Sequence, residues 1–91
     1  MKILIPTPLR QFAAGQSAVE VPASTVGEAV QALISSHPGL RKHLYTDTGK
    51  LRAFVNLYLN EDDVRYLQQD RTPVAESDTL SIVPSIAGGR G

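Results

Sequence analysis

Apolar and polar residues alternate with a period of two in several short segments, and this period is typical of strands with one buried face. The first segment, 2–9, predicts a strand that frays near Pro8, because proline cannot donate a hydrogen bond to a sheet. After a turn at Gly15-Gln16, the second predicted strand, 17–21, is expected to form a hairpin with the first. Further strands are predicted at 53–59, 64–67 and 80–84, and the alternation is clearest in 53–59.

A helical period of 3.6 residues lies between the second and third predicted strands. Thr25 and Glu28 form a capping box, in which each side chain can accept a hydrogen bond from the other residue's backbone N–H. The apolar stripe behind the box is predicted to pack on the sheet and consists of Val26, Ala29, Val30, Leu33 and Ile34. Pro38-Gly39 is expected to end the helix, and 37–50 is predicted to be a loop with at most one short turn.

The order strand, strand, helix, strand, short strand and strand is typical of α+β folds with one sheet layer and one helix layer. The small fold that most naturally uses this order is the β-grasp, with a mixed sheet of four to five strands packed against one main helix. Ninety-one residues suit one such domain. We place the domain at 1–85 and expect a flexible tail at 86–91, which contains Gly88 and Gly89.

Composition removes several classes of function. The chain has no cysteine, so no thiol is available as a nucleophile, redox switch or zinc ligand. Nine basic and nine acidic residues give a formal net charge of zero, which favours neither nucleic acid nor an anionic membrane as a partner. No apolar run approaches the ~20 residues of a membrane span, and the first residues do not resemble a secretory signal, so we predict a cytoplasmic protein.

Two groups of side chains could suggest chemistry, but their settings argue against it. His37 and His43 lie in a polar loop with neither a cysteine nor a paired carboxylate nearby, so no metal site is predicted. Glu61, Asp62 and Asp63 fall in a predicted turn, where carboxylates are generally exposed to water.

Two aromatic residues of the segment 53–59 alternate with its predicted core residues. Phe54 and Tyr58 therefore point outward, and large apolar groups left in water often mark a docking surface. The alternative is that the helix or a neighbouring loop covers them. Arg65 is a further candidate for contact with a partner, although a single surface arginine is usually only solvated.

A series of short motifs extends from the first strand to the C-terminus. In order they are Ile5-Pro6-Thr7, Leu9-Arg10, Gly15-Gln16, Thr25-Val26, 54–58, 60–65, Asp78 and 80–89, the last ending in Ile86-Ala87-Gly88-Gly89. Each motif is weak by itself, but their joint order is fairly specific. Over nearly its whole length the chain resembles the ThiS/MoaD family of sulfur carriers, and most of all the CysO-type carriers.

The resemblance implies a protein cosubstrate and not an enzyme. In that family the C-terminal glycine is adenylated by an E1-like partner that uses ATP and magnesium, and is then converted to a thiocarboxylate. Gly89 is accordingly the expected reactive end, and the chain itself binds no cofactor. Ala87 and Gly88 are expected to thread into the partner, because glycine lacks a Cβ and tolerates strained backbone angles. The sulfur then passes to an acceptor enzyme, for which a PLP-dependent cysteine synthase is one candidate.

The chain departs from the family's pattern by continuing with Arg90-Gly91 beyond the glycine pair. We predict that a JAMM-type zinc metalloprotease cuts between Gly89 and Arg90 and so releases the reactive carboxylate. Two alternatives stay open: the two residues were added in cloning, or Gly91 is itself the reactive end.

Several functions are compatible with these features. Cysteine or a related sulfur metabolite is the favoured product, whereas a molybdopterin synthase small subunit or a thiamin sulfur carrier would use the same tail chemistry. A ubiquitin-like modifier would be joined to lysines of other proteins through Gly89. A binding or scaffold module would use the sheet face and ignore the tail.

Overall fold

Five strands form one mixed sheet in the order β2-β1-β5-β3-β4, and the computed structural model describes residues 1–52 and 55–84, the side chain of Arg65 excepted. The strands are β1 (Lys2–Leu4), β2 (Ala18–Glu20), β3 (Val55–Leu59), β4 (Asp62–Asp63) and β5 (Thr79–Pro84). The helices are α1 (Val26–Ser36) and α2 (Arg41–Leu44), with short 3-10 helices at Thr7–Phe12, Pro38–Leu40, Val64–Tyr66 and Gln69–Arg71. The predicted α+β, β-grasp architecture is confirmed.

The first strand is shorter than predicted because prolines follow it. β1 ends at Leu4, and Thr7–Phe12 coils into a 3-10 helix with Pro8 in its first turn, where the missing N–H has no partner to lose. The chain reverses through Gly15, whose φ is +76°, and β2 returns antiparallel to β1 with Ile3 opposite Val19. The predicted hairpin is therefore confirmed.

Helix α1 begins where the capping box predicts. The Glu28 N–H donates to Thr25 Oγ1 at 3.2 Å, but the Glu28 carboxylate accepts from the Ser24 N–H at 2.8 Å, one residue earlier than expected. The five residues of the predicted apolar stripe are all buried against the sheet. The helix ends at Ser36, just before Pro38, as the proline requires.

The prediction of a short strand at 64–67 is wrong. The chain turns tightly at Asn60, whose φ of +57° an asparagine tolerates, so the next residues, Asp62 and Asp63, pair with β3 as β4. The chain then coils at Val64–Tyr66, which turns Val64 into the core. The apolar residues at 64–67 therefore do not mark a strand, because Val64 is buried in the core while Tyr66 points outward.

The segment 37–50, predicted as a loop with at most one short turn, is more ordered than expected. A 3-10 turn leads into α2, and Leu40 and Leu44 are both fully buried. A tight hairpin follows, in which the Thr46 N–H donates to the Lys50 carbonyl at 2.7 Å and Gly49 has a φ of +85°. Two buried leucines at a spacing of four residues are the helical signal that the sequence reading overlooked.

One apolar core lies between α1 and the sheet. Alternate residues of β3 (Val55, Leu57 and Leu59) and of β5 (Leu80 and Ile82) are buried in it, as their alternation predicts. Among the described residues, no helix is long and apolar enough to cross a lipid bilayer.

Candidate functional site: the exit of the C-terminal tail

Strand β5 carries the chain out of the domain from the middle of the sheet. It runs parallel to β1 on one side and antiparallel to β3 on the other, with Pro84 opposite Val55. The pairing with β1 ends at Ser81, three residues before Pro84. Pro84, which has no N–H, therefore takes no hydrogen bond away from the pairing with β1. Two strands therefore hold β5 as far as Ser81, and β3 alone holds it at Pro84, from which the tail leaves.

The predicted reactive residues lie beyond this exit. Ala87, Gly88, Gly89 and Arg90 are outside the described residues, and their roles stay predictions. The same is true of the division at residue 85 between domain and tail. The exit itself, at the end of β5, is the part of the site that the structure defines.

One face of the sheet is not covered by α1. Leu4, Ser81 and Tyr58 stand side by side on it, since Ser81 is the register partner of both neighbours. Val83, two residues nearer the exit, lies opposite Asn56 on the same face. Leu4 is 39% exposed and Val83 43% exposed, which leaves apolar surface in water next to the tail.

Of the three predicted docking residues, the structure places one. Tyr58 is half-buried on the uncovered face, whereas Phe54 and the side chain of Arg65 are outside the described part of the chain. Sequence reasoning missed Leu4 and Val83 as docking candidates. The available signal was their position out of phase with the buried residues Ile3 and Ile82.

The structure describes the surroundings of His43, one of the two histidines that the sequence singles out. His43 stacks on Phe12 with ring centroids 4.1 Å apart, and its Nε2 is buried without a hydrogen-bond partner. The described residues contain no cluster of three or more potential metal ligands. Of the acids predicted to lie in a turn, Glu61 does so, while Asp62 and Asp63 form β4.

A cavity of about 610 Å³ lies between the first turn of α1, the hairpin 45–51 and the 3-10 turn at Gln69–Arg71. Its apolar lining includes Val26, Val30, Val55, Leu57 and Val64, and its polar lining is Tyr45, Lys50, Arg52, Gln69 and Asp70. Burial, and then the negative charge of Asp70, raise the pKa of the Tyr45 hydroxyl. No serine, cysteine or histidine is among these described lining residues, so they offer no nucleophile of the kind used in acyl transfer.

A sequence model of the ThiS family matches residues 3–89, nearly the whole chain. The chain belongs to the ThiS family. A relative in Mycobacterium tuberculosis, named sulfur carrier protein CysO, is 36% identical to it over 89 residues, which cover 96% of each chain.

Two solved structures share the fold along almost the full chain. CysO in the BexX/CysO complex of Amycolatopsis orientalis superposes with a TM-score of 0.86 and 38% identity, covering 97% of this chain and 98% of that one. SAMP1 of Haloferax volcanii superposes with a TM-score of 0.84 and 28% identity, covering 98% of each. This ThiS-family chain is thus similar both to sulfur carriers and to a small archaeal modifier protein.

Proposed function

We propose that the chain is a sulfur carrier whose C-terminal Gly89, freed by removal of Arg90-Gly91, becomes a thiocarboxylate that donates sulfur in biosynthesis. The observation that carries the proposal is the match to the ThiS family, which spans residues 3–89 and includes Gly89. The 36% identity to a protein named as a sulfur carrier supports the same reading.

The proposed chemistry uses the backbone end and no side chain. A Gly89 carboxylate oxygen attacks the α-phosphorus of ATP held with magnesium in an E1-like enzyme, and pyrophosphate leaves. The acyl-adenylate is then attacked at its carbonyl carbon by a sulfide-equivalent nucleophile, and AMP leaves. The thiocarboxylate sulfur is the nucleophile in the final transfer. In this scheme ATP and magnesium belong to the partner, and the carrier acts as cosubstrate in the cytoplasm.

The uncovered sheet face is the proposed docking surface for the partners. Leu4 and Val83 expose apolar area beside the exit, and Tyr58 adjoins them through Ser81. A partner that covered this face would hold the domain while residues 86–89 entered its channel as a tail. Phe54 and Arg65 stay in the proposal as docking residues from their sequence positions alone.

Two truncated chains test the carrier function. A chain ending at Gly89 and a matched chain ending at Ala87 are each incubated with an E1-like enzyme, ATP, magnesium and a sulfide source. Mass spectrometry should show exchange of oxygen for sulfur on the Gly89 chain and none on the Ala87 chain. A thiocarboxylate on neither chain, or biological activity that survives loss of everything after Ala87, would count against the proposal and favour a scaffold module.

Processing is tested on the full chain. A JAMM-type zinc metalloprotease is expected to remove Arg90-Gly91, and Arg90→Pro should block cleavage because proline fixes φ and removes the N–H of the scissile bond. Activation of the uncut chain, with sulfur found on Gly91, would instead make Gly91 the reactive end.

The second candidate is a protein modifier, which the similarity to SAMP1 favours. A sulfonyl azide probe reacts with a thiocarboxylate and reports sulfur transfer, whereas lysine-linked adducts in cell extract report conjugation through Gly89. Lysine-linked adducts, found together with no chain that reacts with the probe, would favour the modifier function. For sulfur transfer, a PLP-dependent cysteine synthase is the first acceptor to test, followed by molybdopterin and thiamin synthesis enzymes.

A further inference from the structure

The formal net charge of zero conceals a separation of charge along the strands. We propose that the end of the domain from which the tail leaves is a basic docking surface for a protein whose tail-accepting channel is rimmed by carboxylates. This basic end consists of Arg10, Arg41, Lys42 and Arg52. The inference rests on the proposed function, because it concerns the partner that receives Gly89.

Folding brings the first part of the basic end together from two distant segments. The 3-10 helix Thr7–Phe12, which carries Arg10, follows β1, and β1 runs parallel to β5, so both lead to the same end of the sheet. Phe12 of this helix stacks on His43 of α2 with ring centroids 4.1 Å apart. The contact places the two exposed cations of α2 beside the helix that carries Arg10.

Arg52 reaches the same place from the strand side. Its Nε donates to the Lys42 carbonyl at 2.8 Å, and its backbone N–H donates to the Leu44 carbonyl at 2.8 Å. Its own carbonyl accepts from the Val55 N–H at 3.0 Å, and Val55 is the register partner of Pro84. The Cα atoms of Arg52 and Pro84 therefore lie within about 12 Å of each other, which puts the cation near the exit.

Carboxylates occupy the opposite end of the strands. Glu61 and Asp62 follow β3, while Glu76 and Asp78 precede β5, and we call these four the acidic end. Asn60 Nδ2 donates to Asp78 Oδ1 at 3.3 Å, which ties the two groups together. The length of β3 separates the two ends by about 13 Å, more than the Debye length of about 8 Å at physiological salt. The ends therefore present separate fields.

Each end also has groups of opposite sign, but they do not cancel the excess. Exposed Asp47 lies in the hairpin next to α2, and Asp70 lines the same cavity as Arg52. Lys50 of that hairpin adds a fifth cation, so two carboxylates stand against five cations. Lys2 begins β1 at the other end, where its backbone N–H donates to the Asp78 carbonyl at 3.2 Å. The domain is consequently a dipole whose positive end bears the tail.

An acidic protein surface fits this dipole better than a nucleic acid does. A polyanion requires a basic stripe along much of the domain, and here the acidic end would repel it. A dipolar carrier instead turns its positive, tail-bearing end toward an acidic channel during encounter, which raises the rate of productive association.

Two matched double variants test the basic end in the chain that ends at Gly89. Arg41→Gln/Lys42→Gln removes two exposed cations from it, and the control Lys2→Gln/Arg71→Gln removes two exposed cations that lie outside it, so the net charge changes equally. Association with the E1-like enzyme is measured by surface plasmon resonance between about 20 and 300 mM NaCl, where the Debye length falls from about 20 to about 6 Å. Thermal unfolding confirms that each variant folds.

At low salt the basic-end variant should associate about three- to tenfold more slowly than the unaltered chain, and the control less than about twofold. The difference should vanish at high salt. Equal rates for the two variants, with normal ATP-dependent activation of Gly89, would overturn the inference alone. No activation of the unaltered chain at any salt would overturn the proposed function and the inference with it. Fluorescence anisotropy tests whether a single-stranded RNA oligonucleotide binds. Binding that depends on Arg41 and Lys42 would overturn the inference and indicate a nucleic acid, not an acidic protein, as the partner of the basic end.

Discussion

The two ends of the β3–β5 pair are built by different means. At the acidic end, the Asn60 side chain donates to Asp78 at 3.3 Å and accepts from the Thr79 N–H at 3.1 Å, so local polar bonds join the strands. At the basic end, α2 is anchored through the buried side chains of Leu40 and Leu44, which come from a distant segment. One end sets the register of the strands, and the other lies near the exit of the chain.

This difference matches what a tail-bearing carrier requires of its domain. Hydrogen bonds are directional, so a polar network next to a tight turn fixes the alignment of β3 with β5. Apolar packing is less directional but covers the exit region and leaves charged side chains free to face a partner. Under the proposed function, the domain would deliver the reacting group of the tail from a constant point.

The largest effect is expected from loss of the packing that anchors the basic end. Leu44→Ala removes a fully buried side chain from α2 and should lower the free energy of unfolding by about 2–5 kcal/mol. Urea denaturation with an unchanged m value measures it. Leu67→Ala, at a residue 41% exposed, is the control and should change the free energy by less than about 0.5 kcal/mol. Equal effects at the two sites would mean that α2 is not anchored as described.

Glycines toward the two ends offer a second contrast. An added Cβ on Gly27 would lie 3.1 Å from the Asp70 carbonyl oxygen, whereas one on Gly39 would make an ordinary 3.7 Å contact with the Phe12 ring. Gly27→Ala should therefore cost about 1–3 kcal/mol in spite of alanine's better helix propensity, and Gly39→Ala should be nearly neutral. Thermal unfolding compares the two variants. A stabilised Gly27→Ala protein would contradict the prediction, because it would show that the 3-10 turn at Gln69–Arg71 moves away from α1 at little cost.

The polar network of the acidic end should respond to changes at Asn60. Asn60→Ala loses two side-chain hydrogen bonds and places a Cβ-bearing residue without polar groups at a φ of +57°, so we expect a loss of about 2 kcal/mol. Asn60→Gly keeps the backbone geometry and should lose about half as much. The hydrogen-exchange rates of the Leu80 and Tyr58 amides should rise in both variants. Unchanged rates would show that the network does not set the register of β3 and β5.

The smallest effect concerns pH at the acidic end. Hydrogen bonds from the Ala75 N–H and then from Asn60 hold the pKa of Asp78 below its ordinary value of 3.8. A depressed folded-state pKa means that the stabilisation is present above 3.8 and is lost as the pH falls through the lower folded value. The stability difference between the unaltered chain and Asp78→Asn should therefore be constant near neutral pH and shrink below about pH 4. A difference that grows with acidity would contradict the assignment.

Much of the fold follows from local pattern. The cap at Thr25, the five-residue stripe of α1 and the alternation in β3 and β5 are all visible in the sequence, because each depends on neighbours within one turn or two residues. The family likeness and the identity of Gly89 as the expected reactive end come from the sequence alone as well. These features determine what kind of protein this is.

Tertiary structure decided what depends on contacts between distant segments. Asp62–Asp63 became a strand because a left-handed Asn60 returns the chain against β3, and the coil that follows turns Val64 into the core. The basic end joins Arg10, α2 and Arg52 across more than forty residues, which a count of charges averages to zero. Periodicity reports which side of an element is buried, but only packing determines which elements, and which charges, become neighbours.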